Sequence, residues 1–117
     1  MRLFSFAGLS LCLALTTGCH SAYIAATISN HTSQPLSVVE VDYPSASFGT
    51  QTLAPGADFH YRFKVLGSGE LKLLYTDAAH TDHHAAGPHL NEGDEGALGI
   101  TISAGDPAWD LKLVNRK

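Results

Sequence analysis

The stretch Asp58–Leu66, DFHYRFKVL, has the clearest structural pattern in the chain. Its large apolar side chains alternate strictly with polar ones: Phe59, Tyr61, Phe63 and Val65 against His60, Arg62 and Lys64. This period of two predicts an antiparallel β-strand with one face in the core and the other in water. Burial of such side chains contributes about 1.5–3 kcal/mol each before entropy is subtracted. We interpret the cationic face as solvated, where its charges also discourage pairing between sheet edges.

Similar patterns recur on both sides of this stretch, and turn residues separate them. They predict further strands over Tyr23–Ser29, Leu36–Tyr43, Ser47–Leu53, Glu70–Thr76, Ala97–Ser103 and a last one around Trp109, Leu111 and Leu113. About seven short strands without a helical period favour an all-β fold, an antiparallel β-sandwich of immunoglobulin-like architecture. A small β-barrel is the alternative.

The first residues, MRLFSFAGLSLCLALTTGC, have a different character. Arg2 supplies a positive charge, Leu3–Leu15 is a short apolar run, and small residues lead into Cys19. This layout predicts a secretory signal peptide over residues 1–18, because the run is too short for a membrane-spanning helix.

The end of this segment, Leu15-Thr16-Thr17-Gly18-Cys19, resembles the lipobox of bacterial lipoproteins. The resemblance implies that Cys19 becomes the acylated N-terminus of the mature chain and that its partner is the lipid bilayer. It also implies an exported location on the periplasmic face. His20 after the cysteine implies the outer membrane, if the host has two membranes. An ordinary signal peptide cut near Gly18 or Ala22 is the alternative.

The remaining residues 19–117 have the length of a single domain. They carry six Lys or Arg against eleven Asp or Glu, since Arg2 is the only charged residue before them. This acidity argues against a nucleic-acid partner, which needs a clustered basic face. Cys12 lies in the signal peptide, so Cys19 is the one cysteine left and no internal disulfide is expected.

The segment 77–96, DAAHTDHHAAGPHLNEGDEG, has no strand or helix pattern and predicts a long loop rich in His and acidic residues. Imidazole and carboxylate groups bind zinc, copper(II) and nickel. The candidate metal ligands are His80, Asp82, His83, His84 and His89. Their spacing matches no established metal motif, and a tract that is merely soluble is the alternative.

Motifs for catalysis are lacking. The chain has no G-x-S-x-G nucleophile elbow and no glycine-rich phosphate loop before a helix. We therefore expect a non-enzymatic, membrane-anchored envelope lipoprotein that is a binding or structural module, with an unknown envelope protein as partner and no cofactor. The alternative is a periplasmic protein that binds Zn, Cu or Ni through the His-rich segment.

Overall fold

The computed structural model describes residues 21–114, which form eight β-strands and no helix. The strands are β1 (Ile24–Asn30), β2 (Leu36–Tyr43), β3 (Ala46–Leu53), β4 (Asp58–Phe63), β5 (Gly69–Thr76), β6 (Asp82–Leu90), β7 (Gly96–Ile102) and β8 (Ala108–Leu113). Seven of them lie within a few residues of the strands that the sequence predicts. The eighth, β6, was not predicted.

The strands form two four-stranded sheets, in the orders β4-β1-β7-β8 and β3-β2-β5-β6. All pairings are antiparallel except that of β1 with β7, which is parallel. The predicted two-layer β-sandwich is therefore confirmed, and the barrel alternative is wrong. The order of the strands within each sheet was not predicted from the sequence.

The core lies between the two sheets and is made by the alternating apolar positions. In β1 and β7, for example, Ile24, Ile28, Leu98 and Ile102 are at most 1% exposed. The sequence predicts that the alternating apolar residues of β4 all face the core, and this is only partly right. Phe63 and Val65 are buried, but Tyr61 is 43% exposed and stacks on Phe48 with the ring centroids 4.6 Å apart. Because β4 is at the edge of its sheet, the opposite layer covers only part of its inward face.

The sandwich has two ends that differ in the loops they carry. We call the end where β1 begins the N-terminal end. Ile24 pairs there with Phe63 and Gly96, and Phe63 contacts Tyr43 of the other sheet, with ring centroids 4.3 Å apart. We call the opposite end, where β1 stops at Asn30, the distal end. It carries the loops between β1 and β2, β3 and β4, β5 and β6, and β7 and β8.

The prediction of a long loop over residues 77–96 is wrong, because residues 82–90 form β6. This strand pairs antiparallel with β5, placing His83 opposite Tyr75 and His84 opposite Leu74. Its register shifts near Gly87 and Pro88, where β6 has one residue more than β5. Proline and a bulge are tolerated here because β6 is an edge strand. Trp109 of β8 covers Gly87, so the indole closes this side of the sandwich.

A second bulge lies in β2 at Val38. The register of β2 against β5 shifts between Ser37 and Glu40, and Val38 adopts a φ of 51° with its side chain 59% exposed. Both Leu36 and Val39 can therefore face the core although they are three residues apart. A β-branched residue is strained in this left-handed backbone conformation.

We expect Val38→Asn to stabilise the domain, since asparagine tolerates the left-handed conformation and little packing is lost at an exposed position. The expected gain is about 1 kcal/mol in the free energy of unfolding. Val38→Ile keeps the β-branch and should stay within about 0.5 kcal/mol of the wild type. Urea unfolding of the three proteins measures both values. An asparagine variant less stable than the wild type would contradict the interpretation of strain.

Candidate functional site: a cleft at the distal end

Three loops of the distal end surround a cleft of about 530 Å³. They are the loop after β1, the turn between β5 and β6, and the loop between β7 and β8. The polar lining residues include Thr32, Gln34, Tyr75, Asp77, His83, Ser103 and Asp106, and the apolar ones include Leu36, Ala78, Ala79 and Ala104. A volume of this size is within the ~300–1,000 Å³ range of small-molecule sites.

The floor of the cleft includes Tyr75, the last inward-facing residue of β5. Tyr75 is only 6% exposed, and its ring stacks on the His83 imidazole with centroids 4.6 Å apart and planes 10° apart. Its hydroxyl makes no hydrogen bond with any of residues 21–114 and is not sealed from solvent. Burial raises the pKa of Tyr75, and the charges of Asp77 and Asp106 raise it further. The phenol therefore stays protonated beside two carboxylates.

Asp77 holds the wall of the cleft in place. Its Oδ2 lies 2.7 Å from Nε2 of His83, and its Oδ1 accepts hydrogen bonds from the backbone N–H groups of Ala79 and Thr81. The hydrogen bond with His83 is the main cause that lowers the pKa of Asp77, and the backbone donors add to it. The carboxylate thus orders the turn between β5 and β6 and fixes the position of the His83 ring.

This arrangement predicts how Asp77 affects stability at low pH. A carboxyl whose pKa is lowered in the folded state stabilises the fold above its ordinary pKa of 3.8 and loses that contribution as the pH falls below it. We expect Asp77→Asn, which keeps the Oδ1 acceptor, to show a smaller loss of melting temperature between about pH 5 and pH 3 than the wild type. Circular dichroism melts across this range measure the slope.

Asp110→Asn is the matched control, because its carboxylate is 69% exposed and makes only a loose pair with Lys112. Between about pH 5 and pH 3, the melting temperature of Asp110→Asn should fall by the same amount as that of the wild type. Equal slopes in all three proteins would contradict the assigned role of Asp77.

The other candidate metal ligands do not converge on this cleft. His84 points to the opposite face of β6 from His83, since neighbouring residues of a strand alternate. His80 is exposed in the turn between β5 and β6, with a φ of 64°. Asp82 accepts a hydrogen bond from the hydroxyl of Thr76. His89 lies toward the N-terminal end, beside Asn91. Within residues 21–114, no group of three or more His, Cys, Asp or Glu side chains is placed to hold a metal ion. The predicted Zn or Cu site therefore has no gathered ligand set in this part of the chain.

The predicted lipidation residue, Cys19, lies outside the described residues, as does the predicted signal peptide. In the part of the chain that the structure describes, no helix has the length and apolar character needed to span a membrane.

Of the residues that line the cleft, only His83 was a predicted site residue. Tyr75 lies in the predicted strand Glu70–Thr76 and Asp106 lies between two predicted strands, so neither was a candidate. Asp106 is 31 positions from Tyr75 in the chain, and only the packing of one sheet on the other brings them together. A tyrosine in the last inward position of a strand, followed two residues later by an aspartate, was the available signal.

The distal end is acidic throughout. The four Lys and Arg residues of the described chain lie toward the N-terminal end: Arg62, Lys64, Lys72 and Lys112. The loops and strand ends of the distal end contain Asp58, Asp77, Asp82 and Asp106. A cleft lined by charges of one sign concentrates their field, so this cleft favours cations.

Comparison with known proteins gave no match to a family model, to a curated protein or to a solved structure. The fold and the site define the class: an all-β sandwich of two four-stranded sheets with an acidic, tyrosine-floored cleft at one end.

Proposed function

We propose that the chain is a non-enzymatic envelope lipoprotein that is anchored to a bilayer through acylated Cys19 and binds a partner at its distal end. The cleft supports the binding role. It is the place where three loops, a buried tyrosine and two carboxylates meet on one surface.

The position of the cleft, at the end of the sandwich opposite the start of β1, is the single observation that carries the proposal. Only residues 20–23 separate Cys19 from the start of β1. The Cα atoms of Cys19 and Ile24 can therefore be at most about 18 Å apart. An acyl anchor at Cys19 would hold the N-terminal end close to the lipid, and the cleft at the other end would face away from it. Such a layout suits a module that presents a binding site to the surrounding compartment.

The geometry around His83 supports a binding role over a hydrolytic one. A serine nucleophile needs a hydrogen bond to its base. Ser103 lines the same cleft, but its hydroxyl makes no hydrogen bond with His83 or any other residue of the described range. Asp77 engages Nε2 of His83, and no serine hydroxyl of the described residues is hydrogen-bonded to the other ring nitrogen, Nδ1.

Phase partitioning of the protein expressed in bacteria tests the anchor. Acyl chains favour a lipid phase by about 0.8 kcal/mol per buried CH₂, so we expect the mature wild type in the detergent phase and Cys19→Ala in the aqueous phase or unprocessed. Cys12→Ala is the matched control, because this cysteine lies in the predicted signal peptide and should leave partitioning unchanged. A mature wild-type protein in the aqueous phase would overturn the proposal.

A further inference from the structure

The Tyr75 hydroxyl and the Asp106 carboxylate lack a hydrogen-bond partner among residues 21–114, as do the side chains of Gln34 and Ser103 in the same cleft. Asp106 also makes no ion pair with any of residues 21–114. Asp77, by contrast, uses both carboxylate oxygens: Oδ2 pairs with Nε2 of His83, and Oδ1 accepts from the backbone N–H groups of Ala79 and Thr81. The cleft thus offers one buried hydroxyl and one free carboxylate to a ligand.

The surroundings of these two groups specify the charge of that ligand. Asp77 and Asp106 line the same cleft as Tyr75, and both lie close enough for their charges to act on the phenol. No Lys or Arg of the described residues lies at this end to compensate either carboxylate. An anion would meet repulsion from both, whereas a cation gains a charge-assisted hydrogen bond.

The apolar residues that line the cleft indicate that the ligand also carries an apolar group. Leu36, Ala78, Ala79 and Ala104 add apolar surface to the lining of the cleft. Small-molecule sites combine such apolar walls with a few polar groups that fix orientation. A bare metal ion does not suit this lining, since the described residues gather no set of three ligands.

We propose that the distal cleft binds the protonated amine of a small ligand or side chain that also carries an apolar group. The ammonium donates to Asp106 and to the Tyr75 oxygen, and the apolar part packs on Leu36 and the alanines. This inference rests on the binding role proposed above but not on the acyl anchor, because every group it uses lies in the distal loops and strands.

Calorimetric titration of the purified full-length mature protein in detergent tests the inference, with phenethylamine as the probe and phenethyl alcohol as its neutral analogue. We expect the amine to bind at least about tenfold more tightly than the alcohol. Higher salt should weaken binding of the amine and leave the alcohol unaffected. Alcohol binding as tight as amine binding, or no amine binding at millimolar concentration, would overturn the inference.

Two substitutions assign the binding to these groups. Asp106→Asn should weaken amine binding about tenfold, and Asp110→Asn, on the exposed face of β8, should not change it. Tyr75→Phe keeps the stacked ring and should weaken binding several-fold without unfolding the domain. Equal affinities for the Asp106→Asn and Asp110→Asn proteins would also overturn the inference. Phase partitioning of the same protein preparations tests the acyl anchor separately. A protein that partitions into detergent but does not bind the amine would therefore contradict this inference and not the anchor.

Discussion

Asn30→Ala is expected to lower the free energy of unfolding by on the order of 3 kcal/mol, because it leaves buried polar groups unpaired. Asn30 is the one fully buried polar residue of the described chain, at 0% exposure. Its Nδ2 donates to the carbonyl oxygens of Gln34 and Leu53, both at 2.9 Å, and its Oδ1 accepts from the backbone N–H and the hydroxyl of Thr32. The side chain thus joins the end of β1 to the next loop and to β3.

Urea unfolding followed by the fluorescence of Trp109, the only tryptophan, measures this loss. Asn91→Ala is the matched control, since Asn91 is exposed and its side chain makes one exposed hydrogen bond to His89. It should cost no more than about 0.5 kcal/mol. Similar losses at both positions would show that Asn30 does not join the loops as described.

Gly49→Ala is expected to be the second large loss, about 2–3 kcal/mol, through overpacking within a sheet. Gly49 of β3 pairs with Glu40 of β2. An added Cβ would overlap the carbonyl oxygen of Val39 and lie 3.0 Å from the Cα of Glu40. Both are backbone atoms, so β2 and β3 must separate to make room. Urea unfolding under the same conditions measures the loss.

Gly105→Ala provides the comparison for this substitution, because a Cβ at Gly105 meets nothing within 4 Å. We expect it to change stability by no more than about 0.5 kcal/mol. If Gly49→Ala were equally mild, the close pairing of β2 and β3 at this position would be wrong.

The strands that the sequence predicts are those whose inward positions carry large apolar side chains. Leu36–Tyr43 is predicted to the residue, and β4 begins where its alternation begins. β6 was missed because its inward positions hold His83 and Ala85 and it includes Gly87 and Pro88, so it lacks the apolar alternation of a strand. As an edge strand with a bulge it needs less apolar surface. The parallel pairing of β1 with β7 joins distant segments, and no local pattern specifies it.

The candidate site was predictable only in part, for the same physical reason. The sequence placed Asp77 and His83 in one polar segment, but it did not show that His83 would stack on Tyr75. That contact depends on the register between β5 and β6. His83 and His84 were both candidate ligands because they are adjacent, yet adjacency in a strand sends their side chains to opposite faces. Asp106 enters the cleft only through the packing of the two sheets.

The central claim is that an acylated Cys19 fastens this β-sandwich to a bilayer. Intact mass spectrometry of the protein purified from bacterial membranes tests it most directly. The account predicts a mature chain that begins at Cys19 and carries the added mass of diacylglycerol. A chain that still begins at Met1, or one that begins at Cys19 or later with no fatty mass, would contradict it.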